Sequence, residues 1–420
     1  MFIVGLVILI VGLMISVALH ELGHMLPAKK FGALVPEYWI GFGPTVWKTK
    51  KGDTTYGVKA LPLGGYVRIL GMYFPHGNGR KTKADGSLTL AEMARQQSGA
   101  ELDDAARRGQ SGKPFYRLST PQKLVVMAGG PVMNLLIAVV LIAIVVMGIG
   151  FNAPSTIIAE VRNAEDGTAS PAVTAGIEAG DQIVQWDGRP VESWEVLTEA
   201  IQATDGPVDV VAIREGSPVN LVVEPQLRED GTRYVGIVSA VERQRGTPAD
   251  VAENVWIQVS ATGRAIVALP VSLFDLVKSL FTGEERDSSG VISVVGVARL
   301  AGDITGAPTA VDSDSTTGTG IPGGMSFLDR AALMLSLLGA LNVALFVFNL
   351  IPLPPLDGGH VVGALWGGAR NVGAKVTGKP RPAPADTARM VPLAYGVFAV
   401  LMVMTVILVV ADLVKPITFA

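Results

Sequence analysis

The chain has 420 residues, of which 49% are apolar and only 17% charged, where a soluble domain carries roughly a quarter charged. That balance favours a membrane protein, and a formal net charge of −3 with no Lys/Arg-rich block excludes a nucleic-acid footprint. Without cysteine there are no disulfides and no thiolate ligands, which leaves His and carboxylates to hold any metal.

A spanning helix needs about 20 mainly apolar residues. The first segment of that length is 1–28, which lacks a basic leader and a small-residue cleavage site and is read as a retained helix rather than a signal peptide. It ends in "ISVALHELGHMLPAKK", where His20, Glu21 and His24 interrupt an otherwise uncharged run. Ionisable groups at membrane depth cost roughly 2.5–3.5 kcal/mol each on insertion scales, so an idle triad is not expected there. His20 and His24 are four residues apart and share one helix face, and Glu21 can reach a water bound between them. That is the mechanical content of H-E-x-x-H: two zinc ligands and a general base. With Lys29 and Lys30 marking the membrane boundary, His20 lies roughly 13 Å inside it at 1.5 Å per residue.

Residues 29–122 form a loop. Its part from 41 to 72 alternates apolar and polar residues around Lys51-Gly52-Asp53 and predicts β-hairpins. The polar stretch 73–118 is expected to be mobile apart from a short helical patch near Leu90. A second span follows at 123–152. Short β-type runs and a helix near Trp194–Thr204 then predict one compact α/β domain over 155–242. Residues 255–301 are apolar but interrupted by Arg264, Pro270, Asp275 and Lys278, which favours an interfacial amphipathic region over a further span. A Gly/Ser/Thr/Asp-rich linker occupies 302–325, and spans three and four are expected at 328–360 and 390–412.

Charge in the connecting segments sets the expected orientation. Residues 27–123 hold 16 Lys/Arg against 7 Asp/Glu, whereas 152–253 hold 7 against 18. The short loop 361–390 is basic again, through Arg370, Lys375, Lys379, Arg381 and Arg389. One topology satisfies all three: both termini and the acidic domain outside, the basic loops in the cytoplasm.

Catalytic zinc takes three protein ligands and keeps one position open. The candidate for the third lies in "NLIPLPPLDGGH", Asn349–His360, where Pro352, Pro354 and Pro355 break the helix. Asp357 is a carboxylate in that break, on the same side of the membrane as the His/Glu cluster; its competing role is to cap the next helix. His360 competes as a ligand but is better placed to support the ligands from outside.

"HELGH" in the first span with "NLIPLPPLDGG" in the third resembles the site-2 protease family of intramembrane zinc metalloproteases. "GFGP", "LPLGGYVRI", "AGGPVMN" and "SSGVISVVGVAR" extend the resemblance over most of the chain, except the polar stretch after Met72 and the linker. The layout is similar to the bacterial branch that cleaves anti-sigma factors, in a form with a single PDZ domain. The resemblance implies His20, His24 and Asp357 as zinc ligands and Glu21 as catalytic base. Asn349 matches a position near the cleft that contacts substrate, and Gly43 and Asn134 match motif positions of less defined role. It also implies a polytopic α-helical membrane protein with four transmembrane helices, a cytoplasmic membrane-associated β-hairpin region and one extracytoplasmic PDZ-like domain, "TAGIEAGDQIVQWDGRPVESWEVLTEAI" being the core of the last. Asp181 and Asp187 in that core are read as turn residues.

The expected reaction is hydrolysis of peptide bonds within or near membrane spans of single-span proteins, after a first cut outside. One Zn2+ is expected per chain in the bacterial inner membrane, with the active site near the cytoplasmic side. A substrate helix must unwind before attack, and the hairpin at Val58–Leu61 is expected to take it as an added strand. The PDZ-like domain is expected either to contact substrate or an adaptor, or to act as a size filter. Two other classes stay in view: a zinc transporter, and a PDZ-bearing scaffold with a structural metal site.

Overall fold

The computed structural model describes residues 2–76, 82–83, 85–164, 167–228, 231–282, 293–306, 326–380 and 382–414. In chain order, α1 (Phe2–Lys30) is followed by the strands β1 (Glu37–Lys51) and β2 (Thr54–Arg68), α2 (Leu90–Arg107) and α3 (Thr120–Ala143), which continues as a π-turn to Ile149. A β-rich stretch follows, and the chain then returns to helices. These are α6 (Pro248–Thr282), α7 (Val294–Gly306), α8 (Phe327–Leu350), α9 (Asp357–Val376) and α10 (Val391–Val414), after α4 (Pro171–Ala175) and α5 (Trp194–Ala203) of the β-rich stretch. The chain divides into two compact units, one of residues 1–145 with 248–420 and one of 146–247.

In the helical unit, α1 packs against α3, α7 and α8, and α3 packs against α8 and α9. Leu9 of α1 is buried with Ala301, Ile304, Met334 and Leu338, while Met25 and Ala28 are buried with Val126, Met127, Ile69 and Phe115. Large apolar side chains cover the outside, Val400 and Val267 being 68% and 82% exposed, as suits helices whose solvent is lipid. Among the described residues five helices are long and apolar enough to cross a membrane, against four expected. The extra one is α6. It starts earlier than the expected amphipathic region and runs unbroken through Pro270, with α7 as a separate helix. The linker expected at 302–325 falls mostly outside the described residues, and 302–306 belong to α7.

The hairpin expected at 41–72 begins earlier, at Glu37, and is more folded than a simple ladder. Ile40 lies opposite both Val58 and Gly65, and Val58 lies opposite both Ile40 and Trp47. Tyr38 Oη donates to Ala18 O at 2.6 Å and Lys29 Nζ to Thr54 Oγ1 at 2.9 Å, which docks the hairpin on α1.

Two loop expectations are corrected. The short helical patch expected near Leu90 is an 18-residue helix, α2, started by Thr89, whose Oγ1 accepts from Glu92 N. Its sequence is polar, with only a narrow apolar stripe, so periodicity understates it; Leu102 and Ala105 pack on Leu34 and Leu70. Arg95, 1% exposed, clamps the carboxylate of Asp386 with Nε at 3.2 Å and Nη2 at 2.6 Å. The second correction is at 361–390, where α9 stands in place of much of a basic loop. Its many glycines lower helix propensity, and burial of Gly358, Gly359, Gly363 and Ala364 against neighbouring chain overrides it. The third span therefore ends at Leu350, before the proline-rich turn rather than after it.

The second unit holds a six-stranded sheet in the order β8 (Ile237–Gln244), β3 (Phe151–Val161), β4 (Gln182–Trp186), β6 (Val208–Arg214), β7 (Ser217–Val223), with β5 (Arg189–Pro190) on β4. Alternating inward residues Ile183, Val210, Ala212 and Val223 meet Leu197 and Ile201 of α5 in its core. Trp186 is 1% exposed and satisfies its indole by donating to Thr204 Oγ1 at 2.9 Å. Asp181 does more than turn the chain: fully buried, it accepts from Glu178 N at 2.9 Å and from Arg214 Nε at 2.7 Å. That hydrogen-bonded guanidinium holds its carboxyl below the usual aspartate range.

Candidate metal centre

The helical spacing of α1 brings His20 and His24 to one face, with ring centroids 4.9 Å apart and planes at 83°. Asp357, the first residue of α9 after its N-cap Leu356, turns its side chain toward them. Oδ2 of Asp357 lies 3.4 Å from His20 Nε2 and 3.3 Å from His24 Nε2, and the two Nε2 atoms are 3.2 Å apart. These three are the only group of His, Asp or Glu among the described residues able to share a metal ion. The near-equilateral triangle matches one face of a tetrahedron, whose edge is roughly 3.3 Å for metal–ligand distances of about 2.0–2.1 Å. Oδ2 is also buried and receives no hydrogen bond. A carboxylate oxygen left in that state beside two imidazole nitrogens is what a bound cation satisfies. The donor set, two imidazoles and a carboxylate with no thiolate, suits zinc and leaves a fourth position free.

Glu21 is anchored beside this triangle by a contact the sequence did not reveal: its Oε2 accepts from Val67 N of β2 at 2.9 Å. The hairpin thus reaches the centre through its Gly65–Arg68 stretch. Val58, where strand addition was expected, is paired on both sides and offers no edge.

α3 closes the opposite contacts of the two histidines. His24 Nδ1 is 2.7 Å from Val126 O, and His20 Nδ1 is 3.0 Å from Asn134 Nδ2. This approach needs small residues: a Cβ on Gly23 or Gly129 would collide with the other helix's backbone, and one on Gly130 with both imidazoles. Asn342 of α8, fully buried, donates to Ser16 Oγ of α1 at 2.9 Å and ties those two helices one turn before His20. Its amide within an apolar span was a readable signal; the Val126 carbonyl, being backbone, was not.

The remaining expectations fare differently. Asn349 sits half-buried in the last turn of α8 without a side-chain hydrogen bond to any of the described residues. Gly43 lies in β1 at φ 83°, a left-handed conformation that favours glycine, with Leu61 as its near neighbour. His360 is outside the triangle of His20, His24 and Asp357.

Comparisons with known proteins place the chain in a family. The profile of Peptidase family M50 matches residues 8–380. The chain is 31% identical to zinc metalloprotease Rip1 of Mycobacterium tuberculosis over 449 residues, covering 99% of both chains. It is 30% identical to its counterpart in Mycolicibacterium smegmatis over 100% of this chain and 99% of that one. It is also 27% identical to metalloprotease MmpA of Caulobacter vibrioides, over 86% of each. A solved PDZ domain from Listeria innocua aligns with 22% of the chain at 19% identity, with a TM-score of 0.18, too low to bear on the fold. The protein belongs to Peptidase family M50, the site-2 proteases, and is a zinc-dependent intramembrane metalloprotease.

Proposed function

We propose that His20, His24 and Asp357 hold the zinc and that Glu21 is the general base. The observation that carries this is the triangle of Nε2, Nε2 and Oδ2 atoms 3.2–3.4 Å apart, with Glu21 one residue along α1. Zinc bound there supplies a water of lowered pKa and polarises the scissile carbonyl. Glu21, with Oε2 held by Val67 N–H, keeps its other oxygen for taking the proton of the attacking water and passing it to the leaving amine. Asn349, on the helix that leads into the Asp357 turn, supplies an amide that can hold the backbone of an unwound substrate. The Gly65–Arg68 stretch supports strand addition better than Val58–Leu61 does, because its Val67 N–H faces Glu21 rather than another strand. Gly43 then serves substrate indirectly, by shaping the hairpin.

The substrates fit single-span membrane proteins of the anti-sigma-factor kind, already trimmed outside. Basic segments at 29–122 and 361–390 and an acidic domain at 155–242 support an active site near the cytoplasmic face; with α6 lying along the membrane rather than crossing it, four crossings put the PDZ-like domain and both termini outside. That domain is suited either to contact a substrate end or to limit the size of what approaches. A transporter would place ligand clusters along a route, whereas the described residues contain one. The test is Glu21→Gln in membranes: zinc content stays at the parent level and cleavage of a reporter span is lost. Persisting cleavage overturns the assignment, and substrates trapped on this variant identify what the enzyme cuts.

A further inference from the structure

Both histidines of the centre use their second ring nitrogen on α3, and the two contacts are not equivalent. A carbonyl only accepts, so His24 Nδ1 carries the hydrogen it donates to Val126 O and Nε2 presents its lone pair. At His20 an amide nitrogen, Asn134 Nδ2, lies 3.0 Å from Nδ1. A donor there makes Nδ1 the acceptor and puts the hydrogen on Nε2, the atom aimed at Asp357. Meanwhile Asn134 Oδ1 is buried without a partner in a side chain only 1% exposed. The oxygen and nitrogen of a carboxamide have nearly the same shape, and the hydrogen-bond network decides between them. Turning the amide over gives its carbonyl a donor in His20 Nδ1–H and frees Nε2 as a ligand.

We propose that Asn134 is a positioning residue for the zinc centre: its carbonyl accepts from His20 Nδ1–H and selects the tautomer and ring orientation in which Nε2 binds metal. Together with Val126 O, it makes α3 the element that orients both imidazoles. "AGGPVMN" then acquires a physical role along one helix face. Gly129 and Gly130 let α3 approach the rings, and Asn134, four residues after Gly130, meets the nearer one. Partners that orient a ligating histidine commonly change metal affinity 10–100-fold when removed.

The proposal rests on His20 being a ligand, and the test separates the two ideas. Full-length protein in detergent is titrated with zinc against a chelator, and its cobalt-substituted form is examined by absorption. Asn134→Leu, of similar size with no acceptor, is expected to weaken zinc roughly 10–100-fold and to alter the cobalt bands. Asn134→Asp, which accepts but cannot donate when ionised, is expected to stay within about threefold of the parent with its cobalt bands retained. If the Leu variant does not fold, as judged by its melting, Asn134→Ala takes its place with the same expectation. Parent-like zinc affinity in the Leu or Ala variant overturns the positioning role. An Asp variant that melts normally yet binds as weakly as Leu overturns the acceptor assignment. Parent-like zinc affinity in His20→Ala sinks the ligand assignment itself.

Discussion

The two units solve opposite solvent problems. In the β-rich unit apolar residues point inward, where Trp186, Leu197 and Val210 are essentially inaccessible, and Asp181 is tolerated inside only because Arg214 and a backbone N–H satisfy it. In the helical unit the outside is apolar, and the polar residues Ser16, His20, Glu21, His24, Asn134 and Asn342 turn inward. Hydrophobic burial therefore holds the first unit together. The second depends on close backbone approach at Gly23–Gly129 and on hydrogen bonds between helices. Buried polarity supports the fold in both units, and in the helical one it also brings His20, Glu21, His24 and Asp357 together.

Substitutions at the centre should break that contrast most sharply. Glu21→Gln is expected to lower turnover by roughly 10²–10⁴-fold, the usual worth of a general base, in a cleavage assay with zinc content unchanged. His24→Ala or Asp357→Ala should abolish cleavage and zinc together, measured by metal analysis after dialysis, and a chelator should reproduce the loss in the parent. Gly130→Val is expected to behave like a ligand deletion, although it removes no polar atom, because its side chain occupies the space of the imidazoles. Zinc retention in that variant would show that the helices can separate.

Stability measurements sharpen the rest. Leu197→Ala should cost about 2–5 kcal/mol in the unfolding of the β-rich unit, leaving zinc affinity at the parent value. Asp386→Ala removes the bidentate partner of Arg95 and leaves it Glu92 alone, at 2.9 Å, which should cost about 1.5–3 kcal/mol, read from thermal or denaturant unfolding of the helical unit. The smallest effect is on pH. Asp181 has a lowered pKa when folded, so its contribution is full above the unfolded aspartate value of about 3.9 and fades as pH falls below it toward the folded value. Arg214→Met should flatten that acid limb; an unchanged limb would assign it to other carboxylates.

Much of this arrangement was legible because it is local. His20 and His24 share a face by helical spacing alone, and the absence of charge around them made an idle triad costly. The β-rich unit showed itself through period-two runs. Less legible were α2, whose stripe is narrow and whose anchor Asp386 lies 291 residues away, and α9, whose glycines disguise a helix stabilised by packing. That Val58 has no open edge was not legible either, because pairing on both its sides is a property of the folded hairpin.

The sequence by itself determined the class of the protein, the apolar helices and the identity of the chemical groups, since composition, hydropathy and spacing along one helix are properties of consecutive residues. Tertiary structure alone decided that Asp357 meets the two histidines, that Val67 holds Glu21, and that α3 stands behind both rings. Those depend on distances between segments up to 337 residues apart, set by how closely glycine-lined helices approach and by which buried polar atoms find partners.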